Sequence, residues 1–301
     1  MMKKIAVLLL LIAVFAYGES RDDLVKYLPR NSFMVAGADF AQLQENEVYQ
    51  SMDRNGQIWS YDGNGGVTEY LTALKIDSRR DVDAFAFSKY VNNYGGSGKV
   101  HLFDLKRDWS ADLKHRSSTK YLGMELFRLS ADRDMYAVLL TPELLATGNL
   151  NETKTAVDVA KGKVPALLQN VTINNLYKKI PEHSAVWGIA LPLTRREAAK
   201  TNAKQNTNAL LGEFQSYYFY GTPTRKTART HFYGQTEDEK KASFISSFMI
   251  GTLLITKYRV DAPLAEALDQ VDIQQSGNSV HVSMVVTKEM VDAYFQGKLG
   301  L

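Results

Sequence analysis

The chain reads as one structural unit written twice. Leu28-Pro29-Arg30-Asn31-Ser32 runs into the apolar Phe33-Met34-Val35-Ala36-Gly37-Ala38, and Ile180-Pro181-Glu182-His183-Ser184 runs likewise into Ala185-Val186-Trp187-Gly188-Ile189-Ala190. Val100-His101-Leu102-Phe103 has a counterpart in Thr230-His231-Phe232-Tyr233. Leu139-Leu140-Thr141-Pro142-Glu143-Leu144-Leu145 has one in Val285-Val286-Thr287-Lys288-Glu289-Met290-Val291. The order is the same in both halves but the spacing is not, so each copy carries an insertion. Self-similarity at long period predicts repeated supersecondary units that share a buried core.

Local patterns give the content of each unit. Asp83 to Tyr90 alternates Ala84 and Ala86 against Phe85 and Phe87, which is the period of a strand. A Gly- and Asn-rich turn at residues 92–98 returns it as Val100–Leu105, a hairpin. Further strands are predicted at Met124–Leu129, Met135–Leu140 and Leu144–Gly148, and helices at Ala41–Met52, Val67–Leu74, Ser110–His115 and Asn151–Lys161. The second unit repeats the plan, with a helix over Thr194–Leu211 and a hairpin of Phe214–Tyr220 and Lys226–Tyr233. A long helix starts at Thr236, whose spacing to Glu239 is that of a capping box. Ser243, Ser247 and Gly251 recur along it, a row that lets a neighbouring backbone approach. Strands Val271–Gln275 and Ser279–Val286 follow, then a last helix, Lys288–Phe295. The expected fold is α+β: a tandem duplication of a β-α-β-β-α-β-β-α unit, giving mostly antiparallel sheets with helices packed on one face. Its parts are a signal peptide (1–18), unit 1 (19–161), a connecting segment (162–178) and unit 2 (179–301).

The leader sets the expected address. Lys3 and Lys4 precede an apolar run from Ile5 to Ala16, and Ala16-Tyr17-Gly18 supplies small residues for cleavage before Glu19. That run of about twelve residues is short of the roughly 20 that span a bilayer. The segment Ala242–Thr256 carries Ser, Thr and Gly and reads as a buried helix, so no membrane span is expected after cleavage. The short Met-Lys-Lys leader looks bacterial, which places the protein in the periplasm or outside the cell.

Composition narrows the chemistry. With 36 Lys+Arg against 33 Asp+Glu, two of the lysines in the leader, the chain lacks the basic field of a nucleic-acid-binding domain. It has no cysteine, which excludes disulfide scaffolds, thiolate metal sites and cysteine nucleophiles.

The strand start Leu/Ile-Pro-x-x-Ser behind a leader, the passage Leu74-Lys75-Ile76-Asp77 to Asp81-Val82-Asp83, and the late helix start Thr287-Lys288-Glu289 carry a resemblance. Together they resemble exported bacterial proteins of uncharacterised function built on a duplicated α+β unit. The resemblance implies an architecture and no catalytic residue.

The chemical motifs are sparse. His101, His115, His183, His231 and His281 form no His-x-x-x-His or His-Glu-x-x-His pair. His101 and His231 sit at matching repeat positions and read as half-buried strand residues. No Gly-x-Ser-x-Gly elbow occurs. Gly95-Gly96-Ser97-Gly98-Lys99 joins two strands and lacks the Ser/Thr of a phosphate loop, and the glycine-rich run Asp62-Gly63-Asn64-Gly65-Gly66 lacks the ligands of a calcium loop. No metal and no cofactor is therefore expected. Candidate binding residues are Trp59 and Tyr61 in the early insertion, Tyr217 and Tyr218 in a strand whose aromatics alternate across both faces, and Arg225, Lys226 and Arg229 beside them. Arg196, Lys200 and Lys204 add a basic stripe. The reading is an exported, non-enzymatic protein that binds an envelope protein or polymer. An exported hydrolase whose carboxylates meet only in space is one alternative, and a self-associating homodimer is another.

Overall fold

The alternation after Asp83 builds a strand with two unlike faces: Ala84, Ala86 and Tyr90 enter one apolar cluster, Phe85 and Phe87 another. That division runs through the whole molecule. The computed structural model describes residues 21–54, 66–92, 96–192, 210–260, 265–266 and 268–295. In the first half, β1 (Ser32–Asp39), β2 (Val82–Val91) and β3 (Ser97–Leu105) are followed by β4 (Ser118–Tyr121), β5 (Met124–Arg128), β6 (Tyr136–Leu139) and β7 (Leu144–Gly148). In the second, β8 (Val186–Ala190), β9 (Ser216–Pro223) and β10 (Thr227–Gln235) precede β11 (Asp272–Ser276) and β12 (Ser279–Thr287). All join one open antiparallel sheet in the order β11-β12-β10-β9-β8-β1-β2-β3-β7-β6-β5-β4.

The two halves meet at β1 and β8, where Val35 opposes Ile189 and Gly37 opposes Trp187. Outward from that seam, β1-β2-β3-β7-β6 and β8-β9-β10-β12-β11 have the same pairing order. Where two sheets were expected, there is one. The connecting segment is tied down, with Leu167 N–H donating to the Leu28 carbonyl at 2.7 Å and Arg30 N–H to that of Pro165 at 2.9 Å.

Helices lie on both faces of this sheet. The first face holds Phe85, Phe103, Phe232 and Val282 under α2 (Glu47–Arg54), α3 (Gly66–Leu74), α6 (Glu239–Lys257) and α7 (Lys288–Phe295). The second holds Val35, Leu102 and Trp187 under α1 (Arg21–Val25), α4 (Leu150–Ala160) and α5 (Val171–Tyr177). A further difference lies in the helix after the last strand of each half. After β7, α4 folds onto the second face and buries Ala156 and Val157 there. After β12, α7 turns to the first face, burying Met290 and Val291 against the core that includes α2.

Several local expectations shift. The helix over Ala41–Met52 breaks at Asn46, whose side chain accepts from Tyr49 N–H at 2.9 Å and so starts α2 afresh. α4 is capped by Asn149 in a full capping box with Glu152. α6 is capped by Asp238; the Thr236 hydroxyl instead donates to the carbonyls of Asp238 and Asn278. The third repeat match does not superpose: Thr141 lies in the turn into β7, where its hydroxyl accepts from Leu144 N–H at 3.0 Å, whereas Thr287 ends β12.

Candidate recognition surface

α7 packs on the first face, and no described residue of β10, β12 or β11 belongs to the apolar core under the helices of the second. Antiparallel register lines up the side chains there in cross-strand rungs. One rung runs Val35, Ile189, Tyr218, Tyr233, His281, Gln274. The next runs Gly37, Trp187, Tyr220, His231, Ser283, Asp272. Each begins apolar under the helices and turns polar-aromatic beyond β8. Tyr177 of α5 stands edge-on to Trp187 at 5.5 Å and marks the limit of helical cover.

The rings stand like books on a shelf. Tyr218 stacks on Tyr233 with centroids 4.8 Å apart and planes at 8°, and Tyr233 on His281 at 4.1 Å and 8°. Tyr220 stacks on His231 at 4.8 Å. The rungs are joined where His231 Nδ1 lies 3.1 Å from His281 Nε2; the ring planes differ by 10° and the centroids are 5.4 Å apart, so the imidazoles meet through their edges. Lys179 Nζ lies 5.9 Å from the Tyr218 ring centroid. Since the ring faces contact one another, partly exposed edges, hydroxyls and imidazole nitrogens are what the surface offers.

Partial burial favours the neutral forms of His231, His281, Tyr218 and Tyr220. It lowers His231 to about 4, helped by the neighbouring His281 and Arg229. Burial also lowers His281, against the upward pull of Asp272. Burial pushes the Tyr218 phenol up to about 12 and raises Tyr220 further with the help of a hydrogen bond to Tyr233. Phenol O–H and imidazole N–H groups donate here, while the phenol oxygens and bare imidazole nitrogens accept, so the surface offers both kinds of hydrogen-bonding group.

The predicted binding residues separate. Tyr218 stands in this ladder, and Arg229 is exposed on the next rung, beside Thr222 and Val285. Tyr217 points to the opposite face and is buried against Phe232, centroids 5.5 Å apart. Arg225 and Lys226 are exposed in the β9–β10 turn, where the Arg225 carbonyl accepts from Glu47 N–H. Trp59 and Tyr61, and the stripe of Arg196, Lys200 and Lys204, lie outside the described residues. His101 and His231 are not equivalent: His101 is buried on the first face beside Tyr70 and Phe85, His231 is on the second. A one-residue slip in alignment reverses a strand's faces. Among the described residues no group of three His, Asp or Glu side chains is set to hold a metal.

A second exposed feature is apolar. α6 buries Ala242, Ile245, Ser246, Met249, Thr252 and Thr256, while Phe244, Ile250, Leu254 and Ile255 face outward. A methyl group at Gly251 would meet nothing within 4 Å, so no backbone closes on the small-residue row there. No described helix is long and apolar enough to cross a membrane.

The class defined by this fold is an α+β protein built on one open antiparallel sheet. Among solved structures, crystal form I of TP0453 matches with a TM-score of 0.51 at 8% identity, covering 91% of this chain and 96% of that one. Crystal form III of TP0453 matches with a TM-score of 0.50 at 10% identity, covering 90% and 97%. At such identity the likeness is one of fold. No protein-family model matches the chain. No curated protein matches it.

Proposed function

We propose that the chain is an exported binding protein, arisen by duplication of an α+β unit, whose recognition surface is the open second face of β9, β10 and β12. The carrying observation is the stacked ladder of Tyr218, Tyr220, Tyr233, His231 and His281, each partly exposed, on the face opposite the one where α7 packs. Phenol and imidazole hydrogen-bonding groups flanked by the cations Arg229 and Lys179 suit an anionic envelope polymer rich in carboxylate or sulfate-like acceptors. The self-stacked rings have little free face on which a neutral sugar ring could lie.

The leader of Lys3, Lys4 and Ile5–Ala16 supports export. Polygalacturonate and dextran sulfate serve as anionic probes and uncharged dextran as the control. The chain is expected to bind the anionic probes, and Tyr218→Ser with Arg229→Glu to weaken that binding at least tenfold without loss of the cooperative melt. Equal binding to uncharged dextran, or full binding by the double variant, overturns the reading.

A further inference from the structure

We propose that the outward face of α6 is the contact of a weak homodimer, in which the helix packs antiparallel on the same helix of a second copy. The face is apolar and bare. Phe244, Ile250, Leu254 and Ile255 are exposed along α6, and Tyr258 at its C-cap is 90% exposed. Taking about 200 Å² for a fully exposed large side chain, these five residues offer about 600 Å² per copy. That is the upper end of the largest apolar patch on an ordinary monomer, and about three quarters of what each partner buries in a standard interface. Such an area supports reversible, weak association, so dilute protein keeps the helix uncovered.

The helix is complementary to itself when reversed. Phe244 lies as far before the midpoint between Met249 and Ile250 as Ile255 lies after it, and the helical period puts both on the same flank of the outward face. A two-fold axis through that midpoint therefore sets Phe244 level with Ile255 of the other copy, twice over. Ser247 and Gly251 lie nearer the axis, and a methyl group at Gly251 would meet nothing within 4 Å, so the backbones can approach where the helices cross. The ends carry opposite charge. Glu237 and Glu239 are exposed at the start, and Arg259 is exposed just past the end. Lys241 and Lys257 are engaged within their own copy, by Glu213 and Asp269. Reversal brings Arg259 level with Glu239 and the exposed Lys240 level with the Tyr258 ring, and it opposes the two helix dipoles. A parallel copy would instead set like charges together.

The charge pattern separates a second copy from a lipid surface. A helix lying on anionic headgroups carries cations along its length beside the apolar stripe. Between Lys241 and Lys257 α6 has no charged residue at all, and acids lead its start. The dimer does not rest on the polymer reading above. α6 covers the first face of the sheet and the ring ladder stands on the second, so pairing through α6 leaves the ladders of both copies open.

The experiment is sedimentation of the protein alone, from about 1 µM to about 1 mM, a range that brackets weak association. The monomer mass is expected at the dilute end and twice that mass at the concentrated end. Phe244→Ser with Leu254→Ser should weaken the dimer at least tenfold. Glu239→Arg or Arg259→Glu alone should weaken it at least threefold, and both in one chain should restore it. A monomer at every concentration, a dimer indifferent to Phe244 and Leu254, or a reversed charge pair that fails to restore association overturns the proposal. So does a protein that stays monomeric and binds vesicles of phosphatidylcholine and phosphatidylglycerol through Phe244 and Leu254, which would give the face to lipid. Should the apolar variant lose its fold, the charge reversals, both at exposed positions, decide. The polymer measurement is read on Tyr218 and Arg229, so the two readings fail separately.

Discussion

His231 and His281 lie on strands separated in sequence by a helix of 19 residues, yet one hydrogen bond joins their rings, Nδ1 to Nε2, at 3.1 Å. They are diagonal neighbours: His231 opposes Ser283 and His281 opposes Tyr233. The bond needs a lone pair on one of the two facing nitrogens, so it exists only while the pair is not fully protonated.

A dependence of stability on pH follows. In the unfolded chain both rings take up protons near pH 6.5. In the folded chain burial holds both lower, His231 at about 4. Their contribution is therefore complete above about pH 6.5, is lost as pH falls toward 4, and changes little below that, where the folded state is protonated as well. Thermal melts from pH 8 to pH 4 should show a decline that the doubly substituted His231→Gln, His281→Gln protein largely lacks. Parallel curves would contradict the assignment.

Two central glycines lie beneath large rings. Gly37 lies opposite Trp187, and an added Cβ would stand 2.7 Å from its Cζ2. Gly188 lies opposite Phe219, whose ring would collide with a Cβ. Gly37→Ala or Gly188→Ala should cost about 1–3 kcal/mol in denaturant unfolding, the usual penalty of overpacking. Gly251 is the control. It lies inside α6 with nothing within 4 Å of its added Cβ, so Gly251→Ala should stabilise by about 0.5–1 kcal/mol. The same substitution thus changes sign with its surroundings.

The faces of β2 were legible because Ala84 and Ala86 alternate with Phe85 and Phe87, and Lys288–Phe295 was legible because a polar start leads into apolar spacing. β4 was not: Ser118, Thr119 and Lys120 are exposed, so burial leaves no pattern in them. The alternation of Tyr217 to Tyr220 foretold two faces, but not which one keeps its rings partly exposed. That depends on α7 crossing to α2, a long-range choice absent from local spacing. The histidine pair was hidden for a similar reason. His231 with Tyr233 and His281 with Ser283 show ordinary strand alternation, and only the register of β10 on β12 brings the imidazoles together.

α6 presents a testable inversion of the usual helix. Its inward hydroxyls turn back to its own backbone, Thr252 donating to the Phe248 carbonyl and Thr256 to that of Thr252, both at 2.9 Å. Phe244 is 70% exposed and Leu254 50%. Replacing both by Ser should change stability by less than about 1 kcal/mol and reduce the binding of a hydrophobic dye. Ile245→Ala, on the buried side, should cost about 2–4 kcal/mol. Equal losses on both sides would mean that the outward residues are covered in solution.

Asp104 supplies a pH effect of the opposite sign. It is half-buried on β3, between Ala84 and Leu144, and burial raises its carboxyl to about 6, with Asp83, Asp23, Glu143 and Asp39 adding to the shift. The unfolded chain ionises this group near pH 4. The folded chain resists until about 6, so ionised Asp104 costs stability increasingly from pH 4 to 6 and fully above it. The nominal cost of that shift is about 3 kcal/mol, which solvent screening of a half-exposed group reduces to about 1 kcal/mol. Asp104→Asn should therefore raise the melting temperature at pH 7 and leave it unchanged below about pH 4. Between pH 4 and 6 this term rises on acidification while the histidine term falls, which flattens the profile of the unaltered protein. Removing Asp104 should uncover the histidine decline as a steeper acid limb. A stabilisation that persists at pH 3.5 would assign the gain to packing instead of charge.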